Sequence, residues 1–238
     1  MENIDSTFTS LLQSIGNEKL EQIEKIPQSG GDRTYYRLHT NTSSTYIATV
    51  SDNVQENDAF IAFSKHFAEI GANVPKVLAV SENRQAYLQQ DAGNRSLLDV
   101  LETEGYTDDV FELYKKSLDA LAFLQIQGDK HFDYNLCITS KTFGQQAIKT
   151  DLLYFKYYFL DTLKIPYDKE QLLADFESLS AQLYNTSNHY FMFRDFQSRN
   201  IMVNNSTVCF IDYQGGMKGA LQYDAASLLW QAKSNLSE

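Results

Sequence analysis

The chain has 238 residues, 43% of them hydrophobic, with only 3 Pro and 11 Gly. That is enough apolar material for one large domain or two lobes around a cleft, and too little Pro and Gly for extended disorder. A net charge of -11, shared by both halves without a basic stripe, argues against nucleic acid and against an anionic membrane surface as partners. The opening Met1-Glu2-Asn3-Ile4-Asp5 shows no basic start before an apolar run, and no apolar stretch is long enough to span a bilayer. Cys137 and Cys209 are expected as free thiols in a reducing cytoplasm, and the 4 His are scattered without zinc spacing.

Phe8, Leu11, Leu12 and Ile15 recur at helical spacing up to Gly16. Leu20, Ile23 and Ile26 predict a second helix that stops before Pro27. Ser29-Gly30-Gly31-Asp32-Arg33 breaks the pattern. Strands are predicted over Thr34 to Leu38 and Thr45 to Val50, joined by a turn at 41–44, and again over Val74 to Val80 and Ala86 to Gln89. Between these pairs, Phe60, Phe63, Phe67 and Ile70 share one face of a helix running to Gly71. After Asp91-Ala92-Gly93 the character changes. Leu97 to Leu101, Leu113 to Leu124, Asp151 to Leu163, Gln171 to Leu183 and Tyr223 to Lys233 all read as helical. The fold class predicted is α+β in two lobes, with the boundary near residues 90 to 94. Residues 1–91 form an antiparallel sheet with one long helix, and residues 92–238 are mostly helical around a hairpin.

The most informative stretch is FMFRDFQSRNIMVNNSTVCFIDYQGG, Phe191 to Gly216. It sets Asp195 five positions before Asn200, and an apolar run from Val208 to Ile211 delivers Asp212. Ile201 to Val203 reads as a strand, and Asn204 to Thr207 reads as a turn. Protein kinases share this layout of a catalytic-loop Asp, a metal-holding Asn, a strand and a metal-binding Asp. Phosphoryl transfer needs a base to orient the acceptor and cations against the phosphate oxygens. Magnesium takes oxygen ligands, so carboxylates and an amide are the right residue types. Adjacent glycines, as at Gly30-Gly31, let a backbone approach phosphate closely.

In FRDFQSRNIM, IDYQGG and LQYDAASLLW the chain resembles the aminoglycoside phosphotransferase and choline-kinase-like branch of the kinase fold. The wording is closest to bacterial anomeric kinases of N-acetylmuramate and N-acetylglucosamine. The resemblance covers roughly residue 20 to the end. It implies a two-lobed, cytoplasmic, ATP-dependent kinase of a small molecule, with Asp195 as base and with Asn200 and Asp212 on magnesium. Ser29, Gly30, Gly31, Asp32 and Arg33 would cover the phosphates, Glu56 would be the helix acid, and Gln89 and Asp91 would neighbour the base. Asp224 would brace the catalytic loop, and Phe193 fills a packing position that is often His. Gln197 and Arg199 lie near the acceptor in sequence, where solvated loop residues are the more common reading than substrate contacts.

The family's strand lysine falls at Thr49, which departs from the pattern. An amino sugar is the expected substrate, with an aminoglycoside as the alternative. A nucleotide-binding pseudokinase or regulatory module is the reading from another class. Relatives continue with more helices after the segment that ends here at Glu238, so a truncated form is expected.

Overall fold

Alternating side chains along five strands leave one antiparallel sheet with two apolar faces, and a helix closes each face. The computed structural model describes residues 4–27, 32–186 and 189–236. Its strands β1 (Leu20–Lys25), β2 (Thr34–Thr40), β3 (Thr45–Val50), β4 (Val77–Val80) and β5 (Ala86–Gln90) lie in the order β1-β2-β3-β5-β4. Leu38, Ala48, Ala86 and Leu88 meet Phe8, Leu11 and Leu12 of α1 (Ile4–Ile15) on one face. Tyr87 points the other way, into the stripe of Phe60, Phe63 and Phe67 on α2 (Val54–Glu69).

The helix predicted over Leu20 to Ile26 is instead strand β1. Its pairing with β2 slips between Leu20 and Gln22. A bulge of this kind adds one residue to one strand. Leu20 and Ile23 therefore both pack toward the α1 side of the sheet, which reproduces the three-residue apolar spacing of a helix. The ladder continues past the strand, where the Ile26 N–H donates to the Tyr35 carbonyl at 2.9 Å.

Five helices follow the sheet: α3 (Leu97–Glu104), α4 (Asp108–Gly128), α5 (Gln145–Phe155), α6 (Lys169–Tyr184) and α7 (Leu221–Leu229). Ser96 and Asp99 form a reciprocal capping box at the start of α3. The helix predicted over Asp151 to Leu163 changes character at Lys156, where a π-helical segment runs to Asp161. The wider turn aligns residues five apart, and Lys156 Nζ meets Asp161 Oδ2 at 2.8 Å. Helix α7 ends at Leu229, short of the predicted Lys233. The chain then bends so that Gln231 Oε1 accepts from the Ser198 N–H at 3.2 Å. Two short antiparallel pairs complete the fold. One is the hairpin of β7 (Ile201–Asn204) and β8 (Thr207–Phe210), and the other joins β6 (His189–Met192) to β9 (Met217–Ala220).

A single aromatic core runs from α2 into the β6–β9 region. Phe67 meets Phe191 with centroids 4.8 Å apart, and Phe63 meets Phe132 at 4.7 Å. Gly216 lies where this core comes closest to the backbone. A Cβ there would collide with the Phe191 ring and sit 3.0 Å from the Tyr213 carbonyl oxygen. Gly216→Ala is therefore expected to lower unfolding stability by about 1–3 kcal/mol through overpacking. Urea denaturation followed by circular dichroism measures it, and an unchanged midpoint would refute the close approach.

Candidate active site

Between β6 and β7 the backbone must turn sharply, and it does so with Arg194 in the left-handed region at φ 82°. Residues 198–200 make one 3-10 turn before β7. The hairpin reverses at Asn205 and Ser206, with φ values of 46° and 64°. Two positive values at the central residues match the twist of a two-residue hairpin. Strand β8 then delivers Asp212, itself left-handed at φ 68°. A left-handed backbone is costly for a non-glycine residue and recurs at functional sites.

These turns bring the three predicted residues together. Asn200 Nδ2 donates to the Asp195 carbonyl at 2.8 Å and to Asp212 Oδ2 at 3.4 Å. Gln214 Nε2 donates to Asp212 Oδ1 at 2.8 Å, so each carboxylate oxygen of Asp212 is aimed by an amide. With its nitrogen engaged inward, Asn200 has Oδ1 left to offer a cation. Among the described residues no three His, Cys, Asp or Glu side chains gather as a metal cage. One carboxylate and one amide oxygen still fit magnesium, which is bound through one or two carboxylates plus substrate phosphates.

Asp195 is exposed at the mouth of this cluster. Desolvation by the surrounding protein, then the nearby charge of Asp212, push its pKa above the usual aspartate value, while Arg194 and Arg199 pull the other way. Arg194 is tied down by Asp151 of α5, with Nη2 donating to Oδ1 at 2.7 Å, and its guanidinium lies 4.8 Å from the Phe143 ring centre. Arg199 is exposed and Gln197 is half-buried. The Gln197 backbone accepts from the Asn200 N–H at 2.8 Å, which closes the turn.

On the sheet side, Arg33 is only 4% exposed. Its Nη2 lies 3.1 Å from Glu56 Oε1 and donates to the Glu56 carbonyl at 3.2 Å. Glu56 sits in the first turn of α2, where Asn53 caps it: Asn53 Oδ1 accepts from the Glu56 N–H at 3.2 Å. The acid thus serves the helix start and the arginine together. Thr49 is fully buried on β3, across from Tyr35 and Tyr87. Asp32 is exposed, and Ser29, Gly30 and Gly31 lie outside the described residues. Gln89 is buried near the end of β5. The Asp91 carboxylate is committed to Arg37, accepting from Nε at 2.7 Å, and to the Gly93 N–H at 2.9 Å. Those bonds hold it below the ordinary aspartate pKa against its burial.

The profile of the phosphotransferase enzyme family, APH, matches residues 22–238. The N-acetylmuramate/N-acetylglucosamine kinase of Pseudomonas aeruginosa is 24% identical over 231 residues, covering 94% of this chain and 65% of that protein. The chain thus spans less than two thirds of that relative's length. Among solved structures, a thermostable mutant of aminoglycoside phosphotransferase APH(4)-Ia superposes with a TM-score of 0.63 at 14% identity, covering 93% of this chain and 75% of that one. The amicoumacin kinase hAmiN, in complex with AMP-PNP, Ca2+ and Ami, gives 0.63 at 12% identity, covering 96% and 68%. The fold is therefore the two-lobed protein-kinase-like one, with the antiparallel sheet in the first lobe and helices dominating the second.

Sequence reasoning missed Asp151, Gln125 and Gln214. Only Gln214 carried a local signal, its place two residues after Asp212. Gln125 contributes to the brace under the loop. Asp224, fully buried, accepts from the Phe193 N–H at 2.7 Å, the Arg194 N–H at 2.9 Å and Gln125 Nε2 at 2.7 Å. Burial pushes its carboxyl up to about 6, with the three donors working the other way. Removing this acceptor strands three buried donors, at about 1–3 kcal/mol each before relaxation. Asp224→Ala is expected to destabilise the chain by about 3 kcal/mol or more in urea denaturation. A loss below about 1 kcal/mol would mean that the brace is dispensable.

Proposed function

The chain belongs to the phosphotransferase enzyme family, and from that premise we propose that it is a cytoplasmic, ATP-dependent kinase phosphorylating a hydroxyl of an amino sugar. One observation carries the reading: Asn200 bridges the Asp195 carbonyl at 2.8 Å and the Asp212 carboxylate at 3.4 Å. That ties the loop of the base to an oxygen-donor pair at the open end of the hairpin. The proposed division of labour has a nucleotide lobe at residues 1–91 and a catalytic lobe at 92–238, meeting near residues 90 to 94.

In the proposed reaction the acceptor hydroxyl oxygen attacks the γ-phosphorus. A new P–O bond forms, the bond to the β,γ-bridging oxygen breaks, and ADP leaves. Asp195 orients the hydroxyl and takes its proton. Its raised pKa makes it a better proton acceptor than an ordinary aspartate. Asn200 and Asp212 would hold magnesium, which supplies charge neutralisation on the phosphate oxygens. Arg194, anchored by Asp151, keeps the loop backbone at the angle that presents Asp195. The amino sugar is favoured over a polycationic drug by the likeness to the Pseudomonas kinase, at 24% identity.

Asp195→Asn is expected to cut turnover by on the order of a hundredfold or more, the scale of a positioned general base, while the circular dichroism spectrum and nucleotide binding hold. Near-normal turnover in the purified variant removes Asp195 from this role.

Substrate class is decided by a panel assayed across ionic strength. N-acetylglucosamine or N-acetylmuramate is expected to be phosphorylated with little salt dependence, and kanamycin-like compounds not at all. Robust aminoglycoside turnover that falls steeply with salt, as screening of several exposed charge pairs requires, would select the drug kinase instead. Silence on both panels with ATP bound would select the pseudokinase.

A further inference from the structure

We propose that Arg33 is the cation that holds the nucleotide phosphates in this chain, in place of the lysine that position 49 lacks, with Glu56 as its positioning residue; this rests on the kinase reading above. In many kinases one lysine in the strand pairs both with phosphate and with an acid of the following helix. Here that strand position is Thr49, and Tyr35 lies directly across from it in β2. Arg33 precedes Tyr35 by two residues, just before β2 starts. Its contacts put it on the α2 side of the sheet, with the guanidinium 5.4 Å from the Phe60 ring centre and Nη2 on Glu56. The cation has thus moved one strand over while keeping a partner on the same helix.

Three further observations separate this arginine from an ordinary surface pair. It is 4% exposed, so its orientation is set before any ligand arrives. Its Nε is buried without a hydrogen-bond partner, so the guanidinium fork is only partly used by Glu56. Glu56 is itself held, since Oε2 accepts from Asn53 Nδ2 at 3.3 Å. A planar guanidinium can keep a carboxylate on one nitrogen and give another donor to a phosphate oxygen, which a lysine ammonium does with less geometric control. The Tyr35 phenol, pushed up by burial, hydrogen-bonds Arg33 and also feels the charge of Asp212. Of the other arginines flanking this region, Arg37 binds Asp91 and Arg194 binds Asp151, each at 2.7 Å, while Arg199 is exposed beside Asp195 on the other side of the site.

The test compares adenosine with magnesium-ATP in equilibrium titrations of the full chain, for the wild type and for Arg33→Met, Glu56→Gln and the double variant Arg33→Met/Thr49→Lys. Arg33→Met is expected to lose ATP affinity by on the order of tenfold or more, as for a charge-assisted bond, with adenosine affinity unchanged. The double variant should regain part of that loss, because the lysine returns the charge to the same face from β3. Glu56→Gln should lower the ratio of ATP to adenosine affinity in the same direction, and it carries the test should Arg33→Met fail to fold. An unchanged ratio in Arg33→Met or, failing that, in Glu56→Gln overturns the assignment. So does an equal loss of both ligands, which would make Arg33 only a tie between β2 and α2. A wild-type chain that binds ATP no better than adenosine would remove the kinase reading itself, and the assignment with it.

Discussion

Phe60 is held between Tyr87 and Tyr213, with ring centroids 5.1 and 5.0 Å away and planes within 22° and 10° of parallel. Three separate parts of the chain meet in that stack: strand β5, helix α2 and the residue beside Asp212. Offset aromatic pairs add about 0.5–1.5 kcal/mol each beyond their buried area. Ser64, one turn along α2, meets the Tyr213 hydroxyl at 2.6 Å. The position of Asp212 is therefore fixed by apolar packing on one side, while Asn200 and Gln214 aim its oxygens on the other. The Arg33 guanidinium lies over the same Phe60 ring, so one side chain registers the sheet, the helix acid and the Asp212 segment together.

A second constraint acts from below. Asp224 fastens the successive backbone N–H groups of Phe193 and Arg194, and Arg194, immediately before Asp195, is left-handed. Neither arrangement is comfortable alone, since a buried carboxylate loses hydration and an arginine at positive φ is strained. Each compensates the other: the loop supplies the donors the carboxylate needs, and the carboxylate holds the turn the loop needs. Phe193 contributes by packing edge-on against Phe196, Phe210 and Tyr213. The chemical group presented to the cleft is thus small, and the apparatus that holds it is large.

Much of this architecture was legible in the residues because it is local. Asp195 and Asn200 lie on one short turn, the hairpin turn is signalled by Asn205 and Ser206, and the Phe60, Phe63 and Phe67 stripe has one period. Local spacing also misled. The bulge in β1 gave a strand the apolar spacing of a helix, and the π-helical segment after α5 ended a periodicity that read as unbroken. Strands β6 and β9 escaped notice because each is four residues long and they pair with each other across the whole hairpin.

Sequence by itself determined the α+β class and the order of the acidic and amide groups around the hairpin, because each depends on residue type at short separation. Tertiary structure alone decided which distant partners serve those groups. Nothing in the spacing couples Arg33 to Glu56, Arg194 to Asp151 or Gln125 to Asp224. Those pairings arise where strands and helices far apart in the chain converge. There burial makes an unpaired charge costly, so each partner is selected by position in space rather than by distance along the sequence.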